Sequence, residues 1–287
     1  MKSKKDSGSA KDLAKTELIN INRKRKWKIL GKQKMLILMS LPFVLYIILF
    51  RYIPLWGWTM AFQDYKPYKT FSDQTWVGVK WFVQLFTEKE FLLSLRNTVG
   101  MSLISTALGY ITAILLAVFM NEVRYIGIKR FVQTVSYLPH FISMVIVCGM
   151  LKELLSTHGP INDLIYKLGG EKISFISLAE WFRPIFVTSG VWQSLGWGTI
   201  LYLAAMSGIN PSLYEAATVD GASHFQQVIH VTIPCILPTI ATLLILDIGG
   251  LVGSGGAFEK VYLLYSPMTY ETSDIVSTYV FRMGVES

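Results

Sequence analysis

Five long, mainly apolar runs constrain this chain more than any other feature, because each is long enough to need an apolar surround along its whole length. They lie at about residues 35–56, 97–120, 131–151, 184–206 and 237–257. A helix of roughly 20 such residues, rising 1.5 Å per residue, crosses the ~30 Å hydrocarbon core of a bilayer. Only 16% of the 287 residues are charged and 52% are hydrophobic, with a mean hydropathy of +0.43. About a quarter of residues are charged in soluble domains, so the expected fold class is an all-α polytopic membrane protein. The first run continues from "MLILMSLPFVLYIILF" into "RYIPLWGW" with no small-residue cleavage site, and is read as a retained anchor and not a signal peptide.

The net charge of +8 is concentrated at one end. Residues 1–34 hold twelve Lys and Arg against Asp6, Asp12 and Glu17, and are densest in "NRKRKWK", Asn22 to Lys28. Directly before an apolar run, this tail reads as a cytoplasmic anchor under the positive-inside rule, in preference to a nucleic-acid arm. Parity then orients the rest. The connector 121–130 falls inside with three basic residues. Loops 64–96 and 152–183 fall outside with near-balanced charge, and "WVGVKWFVQLF" and "GPINDLIYKLGG" within them have the apolar spacing of short capped helices. Residues 258–287 fall outside and carry no sixth span. Cys148 and Cys235 have neither a metal spacing nor a disulfide framework and read as packing residues.

Segment 207–236 also falls inside, yet Met206 to Cys235 contain no Lys or Arg. The sequence "SGINPSLYEAATVDGASHFQQVIHVTIPCILP" reads as helix, sharp turn, helix. Asn210 or Ser212 caps the first helix with Pro211 in its first turn, and Leu213, Ala216 and Ala217 share one narrow face. Gly221 supplies a positive φ at the reversal, and Ser223 with Gln226 forms a capping box. Pro234 and Pro238 are expected to end the second helix and lead into the fifth span, and "VIHVTI" taken alone also fits a strand. Two roles stand for Glu215: completing a capping box with Ser212, or facing a partner.

The segment resembles the cytoplasmic signature of permease subunits of binding-protein-dependent ABC importers: E-A-A, three residues, G, nine residues, then I-x-L-P. Here it runs Glu215, Ala216, Ala217, then Gly221, then Val231, Ile233 and Pro234, with Val and Ile as conservative departures. "DGA" at Asp220 to Ala222 followed by Phe225, "RNT" at Arg96 to Thr98, "YLPHFIS" at Tyr137 to Ser143, Val191 to Ile209 and "FEKVYLLYSP" at Phe258 to Pro267 are similar to the polysaccharide and oligosaccharide group. The resemblance covers nearly everything after residue 30 and implies a helical importer permease with six spans, so that a sixth is expected but absent from this sequence. It implies a basic tail at 1–34, a first span and external loop at 35–96, and a permease core, incomplete at its C-terminus, at 97–287 with a coupling segment at 207–236. It places the chain in a prokaryotic cytoplasmic membrane, N-terminus inside, carrying an oligosaccharide or polysaccharide-derived sugar.

The same resemblance implies partners: a second, distinct permease, a cytoplasmic ATPase dimer and an extracytoplasmic solute-binding protein. Glu215, Ala216, Ala217, Asp220 and Gly221 would dock the ATPase. The chain would be no enzyme, with ATP and Mg held by the partner and no cofactor or metal by the chain itself. In keeping with that, the sequence has no G-x-x-x-x-G-K-[ST] phosphate loop, and the cluster "GGLVGSGG" reads as close helix approach at Gly249 and Gly253.

Polar groups in spans are the default candidates for a translocation path. These are Asp247 first, then His140, Gln193 and Arg51, against the alternatives that Arg51 snorkels to an interface and Gln193 joins helices. Trp192 and Trp197 can stack on sugar rings or belong to interfacial belts. An ion-coupled secondary transporter would show inverted repeats and membrane carboxylates, and a membrane enzyme H-E-x-x-H, G-x-S-x-G or paired carboxylates; neither pattern is apparent.

Overall fold

The computed structural model describes residues 33–250 and 257–286. Residues 1–32 of the basic tail, the end of the fifth apolar run and Gly253 lie outside the described residues. Contacts divide the chain into two units, Met1–Gln84 and Leu85–Ser287.

In the first unit, α1 (Lys34–Ile47) continues through a π segment (Ile48–Tyr52) and a 3-10 segment (Ile53–Phe62). No residue of α1 is buried although it is apolar all round, as expected of a helix surrounded by lipid. Two short strands, β1 (Gln63–Asp64) and β2 (Thr75–Trp76), pair antiparallel with Gln63 opposite Trp76. Gln74 closes the loop between them, its Nε2 donating to the carbonyls of Lys66 and Lys69 at 2.9 and 3.0 Å. Helix α2 (Lys80–Thr87) follows.

The second unit is built on α3 (Lys89–Glu122), whose 34 residues reach about 51 Å at 1.5 Å each. Next come α4 (Ile126–Tyr137), α5 (Met144–Leu154), α6 (Pro160–Lys167) and α7 (Ala179–Ser207). The chain continues through α8 (Pro211–Val219), α9 (His224–Gln227), a π segment (Val228–Thr232) and α10 (Ile233–Gly250). It closes with α11 (Ala257–Leu264), α12 (Tyr270–Ser273) and α13 (Val276–Phe281).

Helices α3 and α7 form the most extensive contact among the described residues. Two apolar clusters sit at different heights along this pair. Met101, Cys148, Phe182, Phe186, Val187, Val261, Leu264 and Ile275 form one, and Ala113, Ala117, Tyr202, Met206 and Ile236 the other. Close approach depends on small residues: a Cβ on Gly196 would lie 2.2 Å from the Ser136 carbonyl oxygen of α4, so only glycine fits there. Polar pins add to this packing. Buried Asn97 donates to the carbonyls of Glu271 and Asp274, both at 3.0 Å, and accepts from Arg183 at 2.7 Å. The neighbouring Thr98 hydroxyl accepts from the Val276 amide at 2.9 Å. "RNT" therefore ties α3 to α7 and to the C-terminal segment. Asp274 pairs with Arg282 at 2.5 Å, and Tyr279 donates to Glu88 at 2.5 Å. That hydrogen bond, with burial, pushes the Tyr279 phenol up to about 12.

Several expectations about spans are corrected. Among the described residues three helices are long and apolar enough to cross a membrane: Lys34–Phe62, Lys89–Glu122 and His224–Gly250. A fourth is added if the bent pair Ile126–Phe141 and Met144–Leu154 is one span. The run expected to span at 131–151 is bent by 101° between those two helices. Pro139 lacks an amide hydrogen, Ile142 is extended, and Ser143 caps α5 by accepting from the Ile146 amide, so the chain stops and restarts there. The fourth run lies within α7, whose 29 residues are long enough to span; its mean hydropathy is lowered by Gln193 and by its glycines and tryptophans, and Ser189 and Thr199 are buried in the protein. Pro234 and Pro238 do not end the second connector helix. One helix runs from His224 to Gly250 with both prolines inside it, and "VIHVTI" forms a π turn in place of a strand.

Candidate functional site

Local chemistry shapes the connector. The Asn210 side chain accepts from the Ser212 amide at 3.1 Å and Pro211 occupies the first turn of α8. With Asn210 as the cap, Ser212 already lies inside the helix, so the capping box between Ser212 and Glu215 does not form. Gly221 has φ +78, and the Ala222 amide donates to the Ala217 carbonyl while that of Gly221 donates to Thr218, a Schellman ending. Ser223 and Gln226 form the expected capping box at the start of α9.

The two connector helices are cross-braced. Tyr214 shares a 2.9 Å hydrogen bond with the buried hydroxyl of Thr232, and Gln227 Nε2 donates to Thr218 at 3.0 Å. Through these contacts α8 is fixed to the base of the long helix that carries Asp247. What the braced unit leaves exposed is Glu215, Ala216, Asp220 and Gly221, together with Val219 at 88% and Phe225 at 73% exposure; Ala217 is half-buried. Among the described residues no hydrogen bond or ion pair engages the Glu215 carboxylate. His224 Nδ1 lies 3.7 Å from Glu122 at the end of α3, a second link from connector to helix pair.

Between the two apolar clusters, α3 and α7 part around two adjoining cavities. One, of about 420 Å³, is lined by Ser105, Tyr110, Ser194, Trp197, Tyr202 and Asp247. Tyr110 donates to Asp247 at 2.6 Å, bringing together residues on α3 and α10. The other, of about 390 Å³, is lined by Ser105, His140, Gly190, Gln193, Ser194 and Lys260. Gln193 Nε2 donates to the Ile142 carbonyl at 3.1 Å, holding the break between α4 and α5 against α7. His140 stacks on Trp197 with ring centres 4.5 Å apart, and Phe141 stands edge-on to the same indole.

The structure thus brings Asp247, Trp197, His140 and Gln193 to one region. Trp192 lines neither cavity and is exposed, and Arg51 belongs to the first unit. Sequence reasoning missed Tyr110, Ser105 and Lys260. Lys260 lies in segment 258–287, which span parity puts outside; its signal is a lysine inside the largely apolar stretch "FEKVYLLY".

Comparison with known proteins agrees with this architecture. The family model described as "Binding-protein-dependent transport system inner membrane component" matches residues 105–284. The polygalacturonan/rhamnogalacturonan transport system permease protein YteP of Bacillus subtilis is 46% identical over 265 residues, covering 92% of this chain and 82% of that protein. Protein LplB of the same organism is 42% identical, covering 89% and 80%. A crystal structure of a bacterial ABC transporter importing the acidic polysaccharide alginate matches with a TM-score of 0.81 and 41% identity over 91% of this chain and 88% of that one. A further structure of a bacterial alginate transporter, in complex with a periplasmic protein bound to alginate pentasaccharide, matches with a TM-score of 0.82. On the family match and these relatives, the chain belongs to the inner membrane components of binding-protein-dependent transport systems.

Proposed function

We propose that this chain is one transmembrane subunit of an ATP-driven importer for an oligosaccharide or polysaccharide-derived sugar. Its carrying observation is the braced connector: α8 presents Glu215 and a narrow alanine face, and hydrogen bonds join it to the helix that ends beside the cavity at Asp247. A small-residue helix surface with an unpaired carboxylate suits docking in a groove with a basic residue on the partner. Motion of α8 is passed to α10 through Tyr214 and Thr232, and from there to the cavity wall. The partner is a cytoplasmic ATPase dimer that holds ATP and Mg, and this subunit performs no chemistry of its own.

The remaining parts are a second permease that completes the path and a solute-binding protein that delivers the sugar. The N-terminal basic tail faces the cytoplasm. Support for a sugar cargo comes from the aromatic platform of His140 and Trp197 and from relatives named for polygalacturonan, rhamnogalacturonan and alginate. Affinity purification from native membranes tests this assembly. A second permease, an ATPase and a solute-binding protein with bound glycan should accompany the chain; purification with no ATPase would count against the proposal.

A further inference from the structure

Lys260 and Asp274 are the charged side chains buried among the described residues, Lys260 being only 3% exposed. Asp274 has Arg282 as its counter-charge. Lys260 has no carboxylate within ion-pair distance among the described residues. Its ammonium donates to the Phe186 carbonyl at 2.8 Å and lies 4.7 Å from the centre of the Phe186 ring. A buried ammonium without a counter-ion is unfavourable, and a buried ionisable group lining a cavity is a functional-site candidate.

Three observations aim this charge at a ligand. Lys260 lines the 390 Å³ cavity, within the roughly 300–1,000 Å³ of small-molecule sites. Gly190 leaves room for the ammonium, since a Cβ there would lie 3.2 Å from Nζ. The Ser105 hydroxyl, which lines the same cavity, is buried with no hydrogen-bond partner among the described residues. His140, Gln193 and Ser194 complete the polar lining, and the cavity's carboxylate neighbour, Asp247, lies in the adjoining cavity with Tyr110 as its partner.

We infer that this cavity is a binding subsite for an anionic sugar residue, with Lys260 as the counter-charge to one uronate carboxylate. One cation among hydroxyl and amide groups matches a singly charged ring that also carries hydroxyls. The inference rests on the importer reading and narrows its cargo to acidic oligosaccharides.

The complete importer, with its binding protein, is reconstituted in proteoliposomes and given trigalacturonate or its fully methyl-esterified counterpart. The wild type should take up the acid in an ATP-dependent way. Lys260→Met, which keeps the bulk of the side chain, should lower acid uptake about tenfold, the scale of one charge-assisted contact, and leave ester uptake unchanged. Lys260→Arg should retain most acid uptake. Gly190→Ala, which crowds the ammonium, should lower acid uptake selectively and serves if Lys260→Met does not assemble. Equal losses for both sugars, or no loss for the acid, would overturn the inference. Wild-type uptake of the ester alone would overturn it while leaving the importer standing; uptake of the acid that needs no ATP would overturn the importer reading on which it rests.

Discussion

The imidazole of His140 lies parallel to the indole of Trp197, within 4° and 4.5 Å between ring centres, with Trp197 lining one cavity and His140 the other. His140 comes from the break between α4 and α5, and Trp197 from the middle of α7. The pair forms an aromatic surface suited to the apolar C–H face of a pyranose. Trp197→Ala should raise the apparent KM for sugar uptake with little loss of folded protein. Trp192→Ala, outside both cavities, should leave that KM unchanged. Uptake kinetics in proteoliposomes decide between them.

Glu215 is the exposed carboxylate of α8. Reversing its charge should break contact with the ATPase while leaving the spans inserted. Loss of a buried charge-assisted contact at such an interface costs about 2 to 5 kcal/mol. Glu215→Lys should therefore abolish ATP-driven uptake in membranes that still contain normal amounts of the chain, and normal uptake would exclude Glu215 from coupling.

Tyr214 and Thr232 test transmission as distinct from docking. Tyr214→Phe removes one hydrogen bond, worth about 0.5 to 1.5 kcal/mol, without touching the exposed face. The ATPase should still co-purify, while sugar transported per ATP hydrolysed should fall. An unchanged ratio would show that α8 moves α10 by another route.

At Gly196 the backbone of α7 meets the backbone of α4, so the neighbour cannot yield as a flexible side chain would. Gly196→Ala should destabilise the protein by about 1 to 3 kcal/mol or more, the usual penalty for overpacking. Gly249→Ala, where a Cβ meets nothing within 4 Å, should be close to neutral. Thermal unfolding in detergent provides the comparison.

Asn97 joins three parts of the second unit, and its truncation leaves Arg183 and two carbonyls without their partner. Asn97→Ala should cost about 1 to 3 kcal/mol for each buried group left unsatisfied. Lower yield and a lower unfolding temperature are expected, with any surviving complex keeping its sugar preference.

What was legible in the sequence was chiefly local. The connector's form follows from Asn210, Gly221, Ser223 and Gln226, each acting on backbone groups within a few residues, and the structure has all four in those roles. Long apolar runs were equally plain where lipid surrounds a helix. The run at 184–206 likewise marks a continuous helix, α7, although part of that helix, including Ser189 and Thr199, is buried in protein. The 101° break at Pro139 to Ser143 was hidden inside an apolar run, because hydropathy averages over a bend. Asp247 was identifiable as a charge within an apolar run, but its partner Tyr110 stands 137 residues away and no local pattern links them. Lys260 was missed for the same reason: its burial is set by α7 and α5 packing over a segment that span parity puts outside.

The most direct measurement of the central claim is sugar uptake by the purified complex in proteoliposomes, with and without ATP and with and without an imposed proton or sodium gradient. Uptake that requires ATP and the solute-binding protein, and is lost in Glu215→Lys while the subunits still assemble, is the predicted result. Uptake driven by a proton or sodium gradient without ATP would contradict it.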